Sequence, residues 1–144
     1  MNRVWTPVCG RLGIDVPIFG FAHDVHVVAA ITNAGGYGVY GATRRFPHEI
    51  KEELSQIRAL VGDKPFGVDL VLPPGMPSHN SRDAIEAEIP QEHRDFVKQL
   101  TDRYAVPAAS EPGMRTRFIR SAEIEQEQIR VIMESDVDMM ACGI

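Results

Sequence analysis

The sequence predicts an α/β protein built on a parallel sheet, and three observations carry that prediction. Four short apolar runs rich in strand-forming residues lie at 16–21, 37–42, 65–73 and 137–144. Stretches with a helical apolar period separate the first run from the second and the second from the third, and another precedes the fourth. Each interval is too long for a hairpin and long enough for a crossover helix, so the strands form parallel βαβ units with right-handed connections. Four such strands suit either a small open sheet or the first half of a (β/α)8 barrel, whose complete form takes about 250 residues.

The first strand is "VPIFGF", residues 16–21. After it, Asp24 is placed to cap a helix in which Val27, Val28, Ile31 and Ala34 recur at helical spacing. Asn33 to Gly36 then stop that helix, with glycine supplying the left-handed residue past its end. The second strand, "YGVYGA", follows at 37–42 and runs into Thr43, Arg44 and Arg45.

Across this junction Gly36, Gly38 and Gly41 spell G-x-G-x-x-G, the dinucleotide fingerprint. That fingerprint cradles a pyrophosphate only when it follows a strand and opens a helix, where the helix dipole is positive. Here the order is helix, glycines, strand, and a phosphate would meet the negative end. The glycines are therefore those of a helix-to-strand turn.

In "FPHEIKEELSQIRALVGDK" Pro47 occupies the first turn of a helix, and Ile50, Leu54, Ile57, Leu60 and Val61 form its apolar stripe. Lys51, Glu52, Glu53 and Arg58 make the solvated face, and Gly62-Asp63 ends the helix. The third strand is "PFGVDLVLP", 65–73. The rhythm then breaks over about 74–121, a stretch rich in proline, charge and small residues. One helix is expected inside it, from Gln91 to Tyr104, with Phe96, Val97, Leu100 and Tyr104 on one face. An excursion after the carboxyl end of a parallel strand is placed to be a lid or entry wall, or a surface elaboration without a role. A last helix carries Ile124, Ile129, Ile132 and Met133 as its apolar positions and leads into the fourth strand.

Composition narrows the function classes. With 144 residues and 44% hydrophobic content the chain has the size and the core material of one domain. A net charge of −5 with no basic face argues against nucleic acid. There is no apolar run of membrane-spanning length and no apolar signal segment in "MNRVWTPVCGRLGIDV". Cys9 and Cys142 lie far apart in no metal or redox spacing, which suits reduced thiols and a cytoplasmic location.

Two residues stand out chemically. Asp69 sits within a strand that should be buried on both faces. Alternation puts Phe66, Val68, Leu70 and Leu72 on one side and Gly67, Asp69 and Val71 on the other. A carboxylate there is either bonded to loop amides or contacts a ligand at a barrel mouth. His23 falls at the carboxyl end of the first strand, an active-site position on a parallel barrel, although a solvated loop histidine occupies the same place. His23 and His26 are one helical turn apart, but no third ligand with matching spacing accompanies them, so no metal site is expected. His48, His79 and His93 read as surface residues.

Three segments carry a resemblance to a known family: "LGIDVPIFGFAH", "VVAAITNAGGYGVYGA" and "IKEELSQIRALVGDKPFGVDLVLP". They resemble the Leu-Gly-Ile-x-x-Pro-Ile first strand, the Ala-x-x-Asn-Ala-Gly-Gly-x-Gly turn and the Lys-Pro-Phe-Gly-Val-Asn third strand of the nitronate monooxygenases, formerly called 2-nitropropane dioxygenases. The resemblance covers residues 12–73, is looser over 74–121 and resumes at "SDVDMMACGI". It implies that residues 1–144 are a partial FMN-dependent TIM-barrel domain, the N-terminal half, with an insertion at about 74–121.

In this family the turn after the first strand, usually Ala-Pro-Met, lies against the flavin; the matching residues here are Phe21, Ala22 and His23. Where the family commonly places an FMN-contacting asparagine on the third strand, this chain has Asp69. The family's phosphate-binding glycines and catalytic histidine belong to the second half of the barrel and have no match here, so catalytic residues are expected beyond this segment. The implied activity is oxidation of alkyl nitronates with FMN and molecular oxygen. An FMN-dependent enoyl reductase-like reaction is the nearby alternative. A non-catalytic half-barrel that pairs with a copy of itself, or with a complementary C-terminal half, is the alternative from another class.

Overall fold

The computed structural model of the chain describes residues 4–110 and 119–143. Two compact units make it up: Met1–Gly75 with Ile124–Ile144, and Met76–Glu123. The first holds helix α1 (Pro7–Leu12), strand β1 (Phe19–Ala22), helix α2 (Val25–Asn33), strand β2 (Tyr37–Gly41), helix α3 (Pro47–Val61) and strand β3 (Phe66–Val71). The second holds α4 (Arg82–Glu88) and α5 (Gln91–Arg103), and α6 (Ala122–Met133) then leads to β4 (Met139–Gly143) in the first.

All strand pairs are parallel, and the order across the sheet is β1-β2-β3-β4. Strand order therefore follows chain order without a switch point, as in consecutive units of a (β/α)8 barrel and unlike a doubly wound sheet. The packing agrees. Val28 and Ala29 of α2, Ile50, Leu54, Ile57 and Val61 of α3, and Ile132 of α6 form one buried cluster with Tyr40, Phe66, Val68 and Leu70. The three crossover helices thus cover a single face. The other face is closed at its amino end by α1, where Cys9 and Ile14 pack with Tyr37 and Val39. Fully burying a side chain of this size stabilises by about 1.5–3 kcal/mol, so the helix-covered face dominates the fold.

The strands begin and end close to where the apolar runs place them. β1 starts at Phe19 rather than at 16, because Val16 N donates instead to Gly35 O (3.1 Å) and Pro17 has no amide hydrogen to pair. The fourth run was expected to reach residue 144, which lies outside the described residues, as do 111–118 of the long excursion. Asp24 caps α2 as expected, accepting from His26 N and Val27 N at 2.9 and 3.1 Å. Gly35 has φ +91°, the left-handed stop. Gly36 does not share that conformation; a Cβ there would come 2.9 Å from Ile18 O, so its role is close approach of backbone.

Three expected stripes are rotated in detail. In α2 the buried positions are Val28, Ala29 and Thr32, while Val27 is exposed. In α3 Leu60 is exposed, and Arg58, assigned to the solvated face, is largely covered. In α6 Glu125, Gln128 and Ile132 turn inward and Met133 faces solvent. Two short helices, α1 and α4, were not anticipated. In the second unit α4 and α5 bury none of their residues, and Phe96, Val97 and Tyr104 are exposed.

Candidate functional site

Register determines which side chains share the face opposite the crossover helices. Phe21 pairs with Val39, Val39 with Gly67, Gly41 with Asp69, and Asp69 with Ala141. Partners in register point to the same side. Phe21, Gly41 and Asp69 therefore lie on one face near the carboxyl ends of their strands. His23 joins them from the turn after β1: its Nδ1 is 2.8 Å from the carbonyl oxygen of Gly41, and its ring meets that of Phe21 edge-on at 4.9 Å.

Gly41 makes this gathering possible. A Cβ at that position would stand 2.4 Å from Phe21 Cζ and 2.6 Å from both Cε1 and Nδ1 of His23. Any other residue would push both rings off β2. By contrast Gly38, on the other face, is needed for helix packing, because a Cβ there would meet Val28 O at 2.5 Å. The third glycine of the apparent fingerprint thus serves the site, and the second serves the core.

Asp69 is half-buried. Its backbone lies in the ladders to β2 and β4 and its carbonyl also accepts from Ala42 N at 3.0 Å, but among the described residues its carboxylate has no hydrogen-bond or ion-pair partner. Of the two expectations for a carboxylate in this strand, bonding to loop amides is not what the structure shows. A half-buried carboxylate without a partner forgoes hydrogen bonds of about 1.5–3 kcal/mol each, which a ligand can restore.

The loop after β2 is held rigidly beside Asp69. Val71 N donates to Thr43 Oγ1 (3.0 Å), and the buried Gln128 donates through Nε2 to Thr43 O (3.4 Å) and Arg45 O (2.7 Å). Below it the Tyr40 hydroxyl donates to Glu53, and Arg45 Nε donates to both, at 3.1 Å each. Burial first, and the Glu53 carboxylate second, push the Tyr40 phenol well above its usual range. The Tyr40 bond and the nearby carboxylates hold Arg45 more firmly protonated than usual.

Of the residues the sequence singles out, Phe21, His23 and Asp69 come together. Ala22 does not join them: its side chain packs against the helix-covered cluster, and only its backbone belongs to the turn. Gly41 was missed as a site residue. Its signal is its place at the carboxyl end of the strand, right after the bulky Tyr40. Tyr37 lies on the same face at the amino end. Among the described residues its buried hydroxyl has no partner, and burial, followed by the charge of Asp138, pushes its phenol up to about 12. Among the described residues no group of three or more His, Cys, Asp or Glu side chains is placed to hold a metal, and no helix is long and apolar enough to cross a membrane.

No family model matches the chain. The inferred monooxygenase Rv1533 of Mycobacterium tuberculosis is 40% identical to it over 114 residues, covering 74% of this chain and 29% of that protein. The crystal structure of a nitroalkane oxidase from Streptomyces ansochromogenes superposes with a TM-score of 0.57 at 18% identity, over 95% of this chain and 36% of the other. The chain thus spans less than a third of its curated relative.

Proposed function

We propose that this chain is part of an enzyme of the nitronate monooxygenase family and supplies the first strand ends of a flavin-dependent oxidoreductase site, a reading that its likeness to a monooxygenase and to the fold of a nitroalkane oxidase supports. The observation that carries the reading is the gathering of Phe21, His23 and Asp69 around Gly41 at the carboxyl end of a parallel sheet, where such folds bind ligands. The cofactor is FMN, the substrate an alkyl nitronate and the oxidant molecular oxygen.

The residues present fit the ring of that cofactor. Asp69 has carboxylate oxygens free to accept an N–H, Phe21 offers a half-exposed aromatic face, and the bare backbone of Gly41 leaves room beside them. FMN supplies two-electron oxidation of substrate and reaction with oxygen. The chain's own residues bind and orient. His23 is fixed through Gly41 O, the braced loop at Thr43–Arg45 keeps β2 from shifting, and the charge of Asp69 sets the local potential. On this reading the phosphate and the remaining catalytic groups are held by residues other than these.

The test is made on the complete polypeptide that carries this chain. Purified protein should retain flavin by absorbance and take up oxygen with an alkyl nitronate, but not oxidise NADH with an enoyl thioester. Flavin-free protein that stays inert with the nitronate after FMN is added overturns the reading.

A further inference from the structure

Helix α5 carries an apolar stripe that the described residues leave open. Phe96, Val97, Leu100 and Tyr104 recur at helical spacing and so share one side. None of the helix residues is buried, and Phe96, Val97 and, at the C-cap, Tyr104 are 57%, 61% and 65% exposed. The other positions of the helix are polar or charged. An apolar stripe bordered by charge is a surface suited to association.

The bordering charges indicate the occupant. Glu92 and Arg103 lie about three turns apart on the same flank of the stripe, one at each end of the helix. When two identical helices pair antiparallel about a two-fold axis, each flank meets the same flank of the other copy, and each amino end meets a carboxyl end. Glu92 of one copy then faces Arg103 of the other, and the reverse holds at the far end. Phe96 lies against the second copy's Leu100, and Tyr104 against its His93. On the other flank Arg94 faces the second copy's Thr101, so no like charges meet. We propose that α5 is the contact through which two copies of this protein associate, antiparallel, with these two Glu92–Arg103 pairs closing the ends.

The available area sets the strength. A large aromatic side chain buries about 150–250 Å², so the open parts of the stripe on two copies amount to about 700 Å². Arg94 donates to Glu86 O and so holds the end of α4 alongside, where Ile85 and Ile89 are exposed in their turn. They bring the total to about 1,000 Å², the size of a transient rather than a permanent interface. None of these residues belongs to the flavin site proposed above, and the association stands or falls without it.

Sedimentation equilibrium of the complete protein over a concentration series should show monomer and dimer exchanging in the micromolar range. Phe96→Asp should weaken the dimer at least about tenfold and leave the far-ultraviolet circular dichroism unchanged, because the side chain it replaces is exposed. Charge exchange gives the sharper result. Glu92→Arg alone, or Arg103→Glu alone, sets like charges against each other at both ends and should weaken the dimer about tenfold. An equimolar mixture of those two variants, or the double variant, brings opposite charges back together and should restore association to within about threefold. A complete protein that stays monomeric up to about 200 μM overturns the proposal. So does a dimer indifferent to Phe96→Asp, and so do single charge variants that neither the mixture nor the double variant repairs, since only self-pairing in this orientation predicts that repair.

Discussion

The two ends of the sheet treat charge in opposite ways. At the amino end a group of charged side chains is engaged with the fold. Arg58 donates to Asp136 (2.8 Å), to Asp138 (3.3 Å) and to three backbone carbonyls, and lies over the Phe66 ring. Asp138 also accepts from Phe66 N, and Lys64 donates to Asn33 twice. At the carboxyl end the His23 Nε2 and the Asp69 carboxylate have no partners among the described residues. On the proposed reading one end holds the fold and the other holds a ligand, the division of labour that parallel barrels show between their two faces.

The largest expected effect is therefore at the amino end. Arg58→Ala removes five hydrogen bonds at once and takes the cation away from Asp136 and Asp138. Such losses are not additive, and about 2–4 kcal/mol of stability should disappear. Urea unfolding would measure it. A loss below about 0.5 kcal/mol would show that the amino end is no more committed to stability than ordinary surface.

Alkaline pH probes the same end. The Tyr37 phenol is pushed up to about 12, chiefly by burial and secondarily by Asp138. A group whose folded pKa is raised keeps its full contribution below the unfolded value of about 10 and loses it as pH climbs through the folded value. Stability should be flat up to about pH 10 and then fall by about 2–3 kcal/mol by pH 12, with Tyr40 adding in the same direction. Tyr37→Phe should remove much of that slope at little cost near neutrality, because the hydroxyl has no partner among the described residues to lose. Identical alkaline profiles for the two proteins would contradict this.

The stabilising parts of this architecture were more legible in the sequence than the linking ones. The strands stood out because apolar runs bounded by turn residues have few other uses. The α3 stripe was legible at Ile50, Leu54, Ile57 and Val61, which follow the helical period strictly, and misleading at Leu60 on its margin. Periodicity of apolarity cannot find an inward-facing Gln128, whose place is set by carbonyls of Thr43 and Arg45 more than eighty residues away. Helices α1 and α4, of six and seven residues, are too short to show a period. Even so, Thr6-Pro7 and the left-handed Gly13 mark both ends of α1. At the site, alternation was enough to single out Asp69, and strand position was enough for His23. Their connection through Gly41 was invisible, because 18 residues separate the two partners of that bond.

The smallest stability effect should come from Asp69→Asn, and its contrast with Asp138→Asn puts the comparison of the two ends to its sharpest test. Both changes remove one negative charge and preserve shape. At Asp138 the carboxylate accepts from Phe66 N at 3.1 Å and from Arg58, so the change should cost about 1–2 kcal/mol. At Asp69 no side-chain bond is lost, and the melting temperature should move by no more than a stability change of about 0.5 kcal/mol produces. The effect of Asp69→Asn should appear elsewhere. Reduction adds electron density to a flavin ring, and a neighbouring carboxylate opposes it, so removing the charge should raise the midpoint potential of the complete protein. Melting temperature and potential measured on both variants give four numbers. A lowered melting point with an unshifted potential for Asp69→Asn would make Asp69 a structural residue, and the carboxyl end would then be no different in kind from the amino end.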